Sequence, residues 1–391
     1  MAADVHAAIM TNKRRSALFV FIIAKHTTSA DFAEEKSIGG RFRLVWHIHV
    51  LKVCYGRLRA NPAKKEIFMR KALVGASLIT TACLFLFSSL ALGVETLSVA
   101  LTSKAFQYVP LVIAQERGYL REEGIEQKLV FMQNAAGLQA LIANQIQYSG
   151  SGSSALVAIS KGNAPLKTVL AFNDQVLQWI VARPNIASLK DLSGKKVATT
   201  GVASIAAFMF RNILIKKNIP KDIVLIDPGP VNRLPSLLAG AVDAAIVSPE
   251  ERYAALDQGM KDLMFLGKEV KNSWGTFATS DQFIKEQPKL VAGFTRAVLK
   301  GLRVARQDRD GTIASVAKFS ELDRALATRM YDDLVGTFTK SGYVDEQTQK
   351  NDLAIVAQVA EVTTIVPPKR AYDFSFARQA EQQLSKQGWK P

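Results

Sequence analysis

Two turns rich in glycine and hydroxyls are the clearest places for this chain to hold a ligand. Gly150-Ser151-Gly152-Ser153-Ser154 and Thr199-Thr200-Gly201-Val202-Ala203-Ser204 each follow a short apolar run and precede a helical one. A strand that enters a helix through such a turn leaves first-turn N–H groups free at the positive end of the helix dipole. With Ser and Thr hydroxyls beside them, these groups seat an anion without a side-chain cation. The candidate contacts are Ser151, Ser153 and Ser154 in the first turn, and Thr200, Val202 and Ser204 in the second. The plainer role for the same side chains is helix capping. The first turn lacks the Gly-Lys-Ser/Thr ending of a phosphate loop, which argues against nucleotide hydrolysis.

Other candidates sit where predicted strands end. Thr102, Ser103, Phe106, Gln107 and Tyr108 follow the first strand. The hydroxyls and the amide can hydrogen-bond a ligand and the aromatics can stack on it, or the aromatics can pack at the core edge. Asn134 and Asn173 follow two further strands. Ser248 and Glu250 follow a strand ending at Val247, and Glu250 can accept from an amine or serve as an ordinary first-turn acid. Trp274 sits where the chain crosses back between halves, as a cleft wall or as hinge packing. Asp243 lies at a strand start, away from these loops, and is read as structural.

The residues that are missing narrow the chemistry further. All four histidines (His6, His26, His47, His49) and both cysteines (Cys54, Cys83) lie before residue 94. Residues 94–391 therefore offer no disulfide, no Cys/His zinc site, no thiol nucleophile and no Ser-His-Asp triad. We expect no cofactor, no metal and no catalysis. The net charge of +16 is also uneven, because residues 1–93 hold 14 of the 50 Lys and Arg. What remains is a mild excess of 36 basic over 29 acidic residues. That balance suits attraction of anions and is not a nucleic-acid stripe.

The elements that must position these residues alternate short apolar strands with amphipathic helices, which predicts α/β layers. Strands are expected at 97–101, 128–132, 147–149, 167–172 and 176–182, then at 196–199, 223–226, 242–247 and 263–266. Helices are expected at 108–117, 137–143, 155–160, 204–216, 234–238 and 249–256. After Trp274 the pattern turns helical, at 288–306, 313–319, 324–338, 347–362 and 375–384. Breaks near 183 and 275 divide the chain into 94–183 for the first part of one lobe, 184–275 for a second lobe, and 276–391 for completion of the first lobe plus C-terminal helices. Ligand pockets in such folds lie beyond the carboxyl ends of strands.

Residues 69–93 read as a signal peptide. Met69-Arg-Lys71 is a basic start, 72–92 carries no charge, and Ala91-Leu-Gly93 suits cleavage before Val94. A retained membrane anchor is the alternative. Residues 1–68 are basic, lack sustained periodicity, and are expected to be a non-native upstream extension.

Several phrases in this sequence resemble the periplasmic solute-binding proteins of ABC importers of the nitrate, sulfonate and taurine type. They are Pro110-Leu-Val-Ile-Ala114, Glu116-Arg-Gly-Tyr-Leu120, Glu123-Gly-Ile125, Ser188-Leu-Lys-Asp-Leu-Ser-Gly-Lys-Lys196-Val197, Leu238-Ala-Gly-Ala-Val-Asp-Ala-Ala245 and Pro249. They stand in the family's order, and the resemblance covers essentially all of 94–391. It implies a two-lobed type II periplasmic binding protein fold with a helical C-terminal region. It further implies an exported periplasmic monomer that takes a small-molecule ligand, sulfonate-, nitrate- or carboxylate-like, to an ABC permease and binds no nucleic acid. One departure is Asn144-Gln-Ile-Gln147, where a Gly-Gln/Glu-Val/Ile-Asp sequence is usual. The alternative function is an enzyme on the same fold, of the thiamin-pyrimidine or menaquinone pathway type, and the missing His and Cys count against it.

Overall fold

β1 (Glu95–Leu101) begins two residues before the predicted run and pairs in parallel with β2 (Ile125–Phe131) along its whole length. The structure is a computed structural model that describes residues 94–219, 222–229 and 232–391. The expected signal peptide and the extension before it lie outside the described residues. Between the first two strands, α1 (Val109–Glu116) ends where the sequence places a glycine. Gly118 takes φ +77°, a left-handed conformation that turns the chain and costs glycine little. Next come α2 (Asn134–Ile142), β3 (Tyr148–Ser149), α3 (Gly152–Gly162) and β4 (Leu166–Asn173). The chain then enters a second unit through β5 (Trp179–Ala182), β6 (Lys196–Ala198), α4 (Ile205–Lys216), β7 (Val224–Ile226), β8 (Ala244–Val247), α5 (Pro249–Asp257) and β9 (Lys261–Phe265).

The segment after β9 departs from expectation. Where the sequence reads as a crossover leading into helices, Trp274–Ser280 forms β10, inserted antiparallel between β3 and β4. The first sheet thus has the order β2-β1-β3-β10-β4, and the second β7-β6-β8-β5-β9. β10 leaves no strand signal in the sequence because Gly275 to Ser280 is buried throughout and shows no in-out alternation, and its register shifts between Phe277 and Ala278. Helices α6 (Pro288–Gln307), α7 (Arg309–Ser320), α8 (Arg324–Leu334), α9 (Glu346–Ala360) and α10 (Ser375–Lys386) follow near their predicted places. α6 is the spine of the first lobe. It approaches α1 so closely that a Cβ on Gly301 would lie 2.1 Å from the Pro110 carbonyl.

The same strand clamp recurs in both lobes. In the second, the Asp243 N–H donates to Lys196 O (2.9 Å), and the Lys196 N–H donates back to Asp243 Oδ2 (2.9 Å). In the first, the Gln147 N–H donates to Ser98 O (3.0 Å), and the Ser98 N–H donates back to Gln147 Oε1 (2.8 Å). Gln147 therefore supplies the acceptor that an aspartate would, without its charge. Asn144 takes φ +56°, the left-handed position that Gly240 takes at φ +76° in the second lobe. Short polar side chains tolerate that conformation better than most, so the departure from the usual phrase preserves its geometry.

Candidate functional site

The strand ends that meet across the cleft are those the topology requires. β1 to β4 present Leu101, Phe131, Ser149 and Asn173, while the reversed β10 presents Trp274. From the second lobe, β6, β7 and β8 end at Ala198, Ile226 and Val247, and β5 starts there at Trp179. The lobes touch: the Phe106 N–H donates across to Glu250 Oε1 at 3.4 Å. A small cavity is lined by Ser153 of α3, Ile205 of α4, Trp274 and α9, so the first turns of α3 and α4 border one space.

The first of these turns holds an uncapped helix. α3 starts at Gly152, three residues earlier than predicted, which puts Ser153 and Ser154 in its first turn, both half-buried. Ser151 stands at the cap position but makes no cap bond, because its hydroxyl donates to the Asn134 side-chain carbonyl instead. The turn is held from behind, where Tyr108 Oη donates to Gly150 O at 3.0 Å. Gly152 lies against β10, and a Cβ there would fall 2.1 Å from Thr276 Oγ1.

The second turn is capped. Ser204 Oγ accepts from the Ala207 N–H at 3.2 Å, with buried Thr199 Oγ1 3.4 Å away. Thr200 is exposed, and Val202 is 45% exposed with its carbonyl accepting from Arg211 Nη1 at 2.7 Å. Ser204 thus serves as a helix cap, and Thr200 is the exposed hydroxyl of that loop.

The loop after β1 divides similarly. Thr102 and Ser103 are exposed and Gln107 is half-buried. Phe106 has no exposed surface and stacks on Phe338 at 5.1 Å. Tyr108 packs edge-on against Phe277, and burial raises its hydroxyl pKa. Both aromatics belong to the core edge and offer no face to a ligand here. Asn134 is the exposed first residue of α2. Asn173 is fully buried: its Nδ2 donates to Thr337 Oγ1 (2.9 Å), while its Oδ1 has no partner. The assignment is fixed, since Thr337 spends its own proton on Leu334 O at 2.6 Å.

On the second lobe, Ser248 begins α5 with a capping box. Its Oγ accepts from the Glu251 N–H (3.5 Å), and the Glu251 carboxylate accepts from the Ser248 N–H (2.9 Å). Glu251 also holds Arg233 at 2.6 Å, and Arg233 donates to Ile246 O at 2.7 Å. Glu250 is the acid left over. The residue is partly exposed at the junction of the lobes, and desolvation there raises its pKa above the usual carboxylate range against the hydrogen bonds it accepts. Trp274 is half-buried and packs against the cores of both lobes.

Two features around the cleft gave no sequence signal. Asp352 of α9 is buried and accepts from Asn272 Nδ2 (2.9 Å), the Ser273 N–H (2.9 Å), Ser273 Oγ (2.6 Å) and Tyr372 Oη (2.8 Å). It ties down the second crossover just before Trp274. At the rim, Tyr253 of α5 lies between the guanidinium groups of Arg252 and Arg329, each 4.9 Å from its ring, and its hydroxyl donates to Asp333 at 2.6 Å. Arg329 and Asp333 belong to α8, so this cluster joins the lobes. Most of these pairings join residues 72 to 81 positions apart, which leaves no local pattern to read.

The architecture is that of a periplasmic binding protein. It resembles the solved sulfonate-binding protein SsuA of Methylobacillus flagellatus KT (16% identity, TM-score 0.62, 76% of this chain and 97% of that one). It also resembles SsuA of Escherichia coli (19% identity, TM-score 0.61, 71% and 92%). The desulfurization enzyme DSZB shares the fold as well (13% identity, TM-score 0.57, 74% and 99%). The chain belongs to the NMT1/THI5-like family, whose profile matches residues 105–311. The riboflavin-binding protein RibY of Chloroflexus aurantiacus is 27% identical over 206 residues, which are 50% of this chain and 58% of RibY. The match spans little more than half of that relative's length.

Proposed function

We propose that this protein is the substrate-binding component of an ABC importer, exported to the periplasm, which captures a small solute between its lobes and delivers it to a membrane permease. One observation carries the reading. Two sheets aim their strand ends at the junction of the lobes, and a small cavity there is lined by Ser153 in the first turn of α3 and Ile205, the first residue of α4. The free first-turn N–H groups of α3 and the hydroxyls of Ser153, Ser154 and Thr200 would receive the ligand's acceptor atoms, whether sulfonate, carboxylate or ring carbonyl. The named relatives support the reading, being described as sulfonate- and riboflavin-binding. Chemistry on the fold, as in DSZB, would need a nucleophile and base, and residues 94–391 contain neither His nor Cys.

A thermal-shift screen of the purified protein tests this, using small sulfonates, carboxylates, nitrate, pyrimidines and riboflavin. A ligand at 100 times its dissociation constant stabilises a protein by about 2.7 kcal/mol. We expect one compound class to raise the melting temperature, with the rise reduced in Ser153→Ala and Thr200→Val. Conversion of any compound to product would contradict capture without chemistry.

A further inference from the structure

We propose that Asp352 positions one wall of the inter-lobe cavity through the second crossover, and that closing the lobes takes up a proton at its carboxyl. This rests on the capture reading and adds a control to it. Asp352 lies on α9 of the first lobe and borders the cavity together with Asn272, Ser273 and Trp274 of the crossover. Its Oδ1 accepts only from N–H groups, the Asn272 amide and the Ser273 backbone. Its Oδ2 accepts only from hydroxyls, those of Ser273 and Tyr372. One carboxyl thus fixes two consecutive crossover residues against α9 and leaves the next, Trp274, at the cavity wall. Asn351 of the same helix adds a bond to Lys271 O at 2.8 Å.

The link to protons follows from what covers the carboxyl. The facing wall is Ile205 and Met209 of α4 in the second lobe, and the enclosed space has room for about one water molecule. A solute of the proposed classes needs the lobes further apart, and parting them brings water to the wall that Asp352 shares. Among the described residues no cation faces the carboxyl. Lys271 is turned to Asp345, Lys350 to Glu346, Arg211 to Val202 O, and Arg370 to the Asn163 and Ala164 carbonyls. Tyr372 is the other titratable group in contact, and burial keeps its hydroxyl protonated. Burial accordingly outweighs the four donors and lifts the carboxyl from 3.8 to about 6. The proton has a place on Oδ2, because the Ser273 and Tyr372 hydroxyls can turn from donor to acceptor and the N–H groups at Oδ1 cannot. With the lobes parted, the hydrated carboxyl returns towards 3.8. The closed arrangement therefore binds more protons between about pH 4 and 6 and is favoured in acid. Raising the pH through 6 shifts the balance towards the parted arrangement by up to about hundredfold.

The test measures the distance between the lobes with no ligand added. Spin labels go on exposed positions, Lys128→Cys in the first lobe and Lys190→Cys in the second, in the full chain carrying Cys54→Ser and Cys83→Ser. Pulsed electron resonance then reads the ratio of long to short distances. That ratio should rise about tenfold or more from pH 4.5 to 7 and level off above about pH 6. Asp352→Asn should make it independent of pH. Tyr372→Phe keeps the ring packing and removes one bond to the charged form, so it should move the plateau to higher pH. The second variant decides the matter if the first does not fold. Glu250, the other carboxyl raised by desolvation where the lobes meet, is the control, and the rise should persist in Glu250→Gln. A ratio independent of pH in the labelled parent would overturn the proposal. So would a rise that survives Asp352→Asn or vanishes in Glu250→Gln, or a plateau unmoved in Tyr372→Phe. Any of these leaves capture between the lobes intact, whereas turnover of a compound in the thermal-shift screen would strike the capture reading itself.

Discussion

Asp352 and Gln147 show how much depends on single acceptors. Burial outweighs four incoming hydrogen bonds at Asp352 and raises its carboxyl to a pKa of about 6. The unfolded chain holds that group near its ordinary value of 3.8, so between about pH 4 and 6 the folded state binds more protons. This group's contribution is therefore fully present at low pH and is lost as pH rises through 6, by about 3 kcal/mol in all. Asp352→Asn should flatten that part of the stability–pH curve. It should also cost about 1–3 kcal/mol, because an amide NH2 would face donors built for a carboxylate. Denaturant unfolding at several pH values from 4 to 7.5 measures both effects. At Gln147, Gln147→Leu should cost about 1–3 kcal/mol by stranding the Ser98 N–H, and Gln147→Asp should cost much less, since it restores an acceptor in the place Asp243 fills in the other lobe. Neither effect was legible in the sequence. Asp352 looks like any acid on a helix, and Gln147 departs from the usual phrase in sequence although its bond from the Ser98 N–H preserves the clamp.

Among the elements, the sequence revealed most where local chemistry alone decides the structure. Strands with apolar runs and helices ended by Gly118 or begun by Ser204 and Ser248 were placed within a few residues. Two failures share a cause. β10 and the start of α3 are built from glycine, serine and threonine, whose local preferences favour turns, and both are shaped by packing on each other. Gly152 shows the contact: Gly152→Ala would drive a methyl to 2.1 Å from Thr276 Oγ1, forcing α3 away from β10. That substitution should destabilise by about 1–3 kcal/mol and misalign the uncapped N–H groups. Thermal denaturation reads the first effect and affinity for any stabilising compound the second. Of the sixteen candidate contacts, Ser153 and Trp274 line the small cavity between the lobes, and Glu250 joins the lobes through its bond from the Phe106 N–H. Phe106 and Tyr108 were drawn by core packing, which a linear sequence does not distinguish from a stacking surface.

At the scale of the whole molecule, two crossovers and one rim cluster join the lobes. The cluster of Tyr253, Arg252, Arg329 and Asp333 bridges α5 and α8, with a further pair from Arg329 to Asp257 at 3.0 Å. These groups are partly exposed, so each pair contributes at most about 1 kcal/mol, and salt weakens it. Asp333→Asn should leave the fold intact and speed ligand release by about tenfold or less, measurable by stopped-flow displacement. The measurement that most directly tests capture between the lobes is a calorimetric titration of the compound that stabilises the protein, with recovery of that compound afterwards. The account predicts one molecule bound per chain and recovered unchanged, with binding weakened by substitutions at Ser153 and Thr200. Recovery of a converted product, or binding indifferent to both residues, would contradict it.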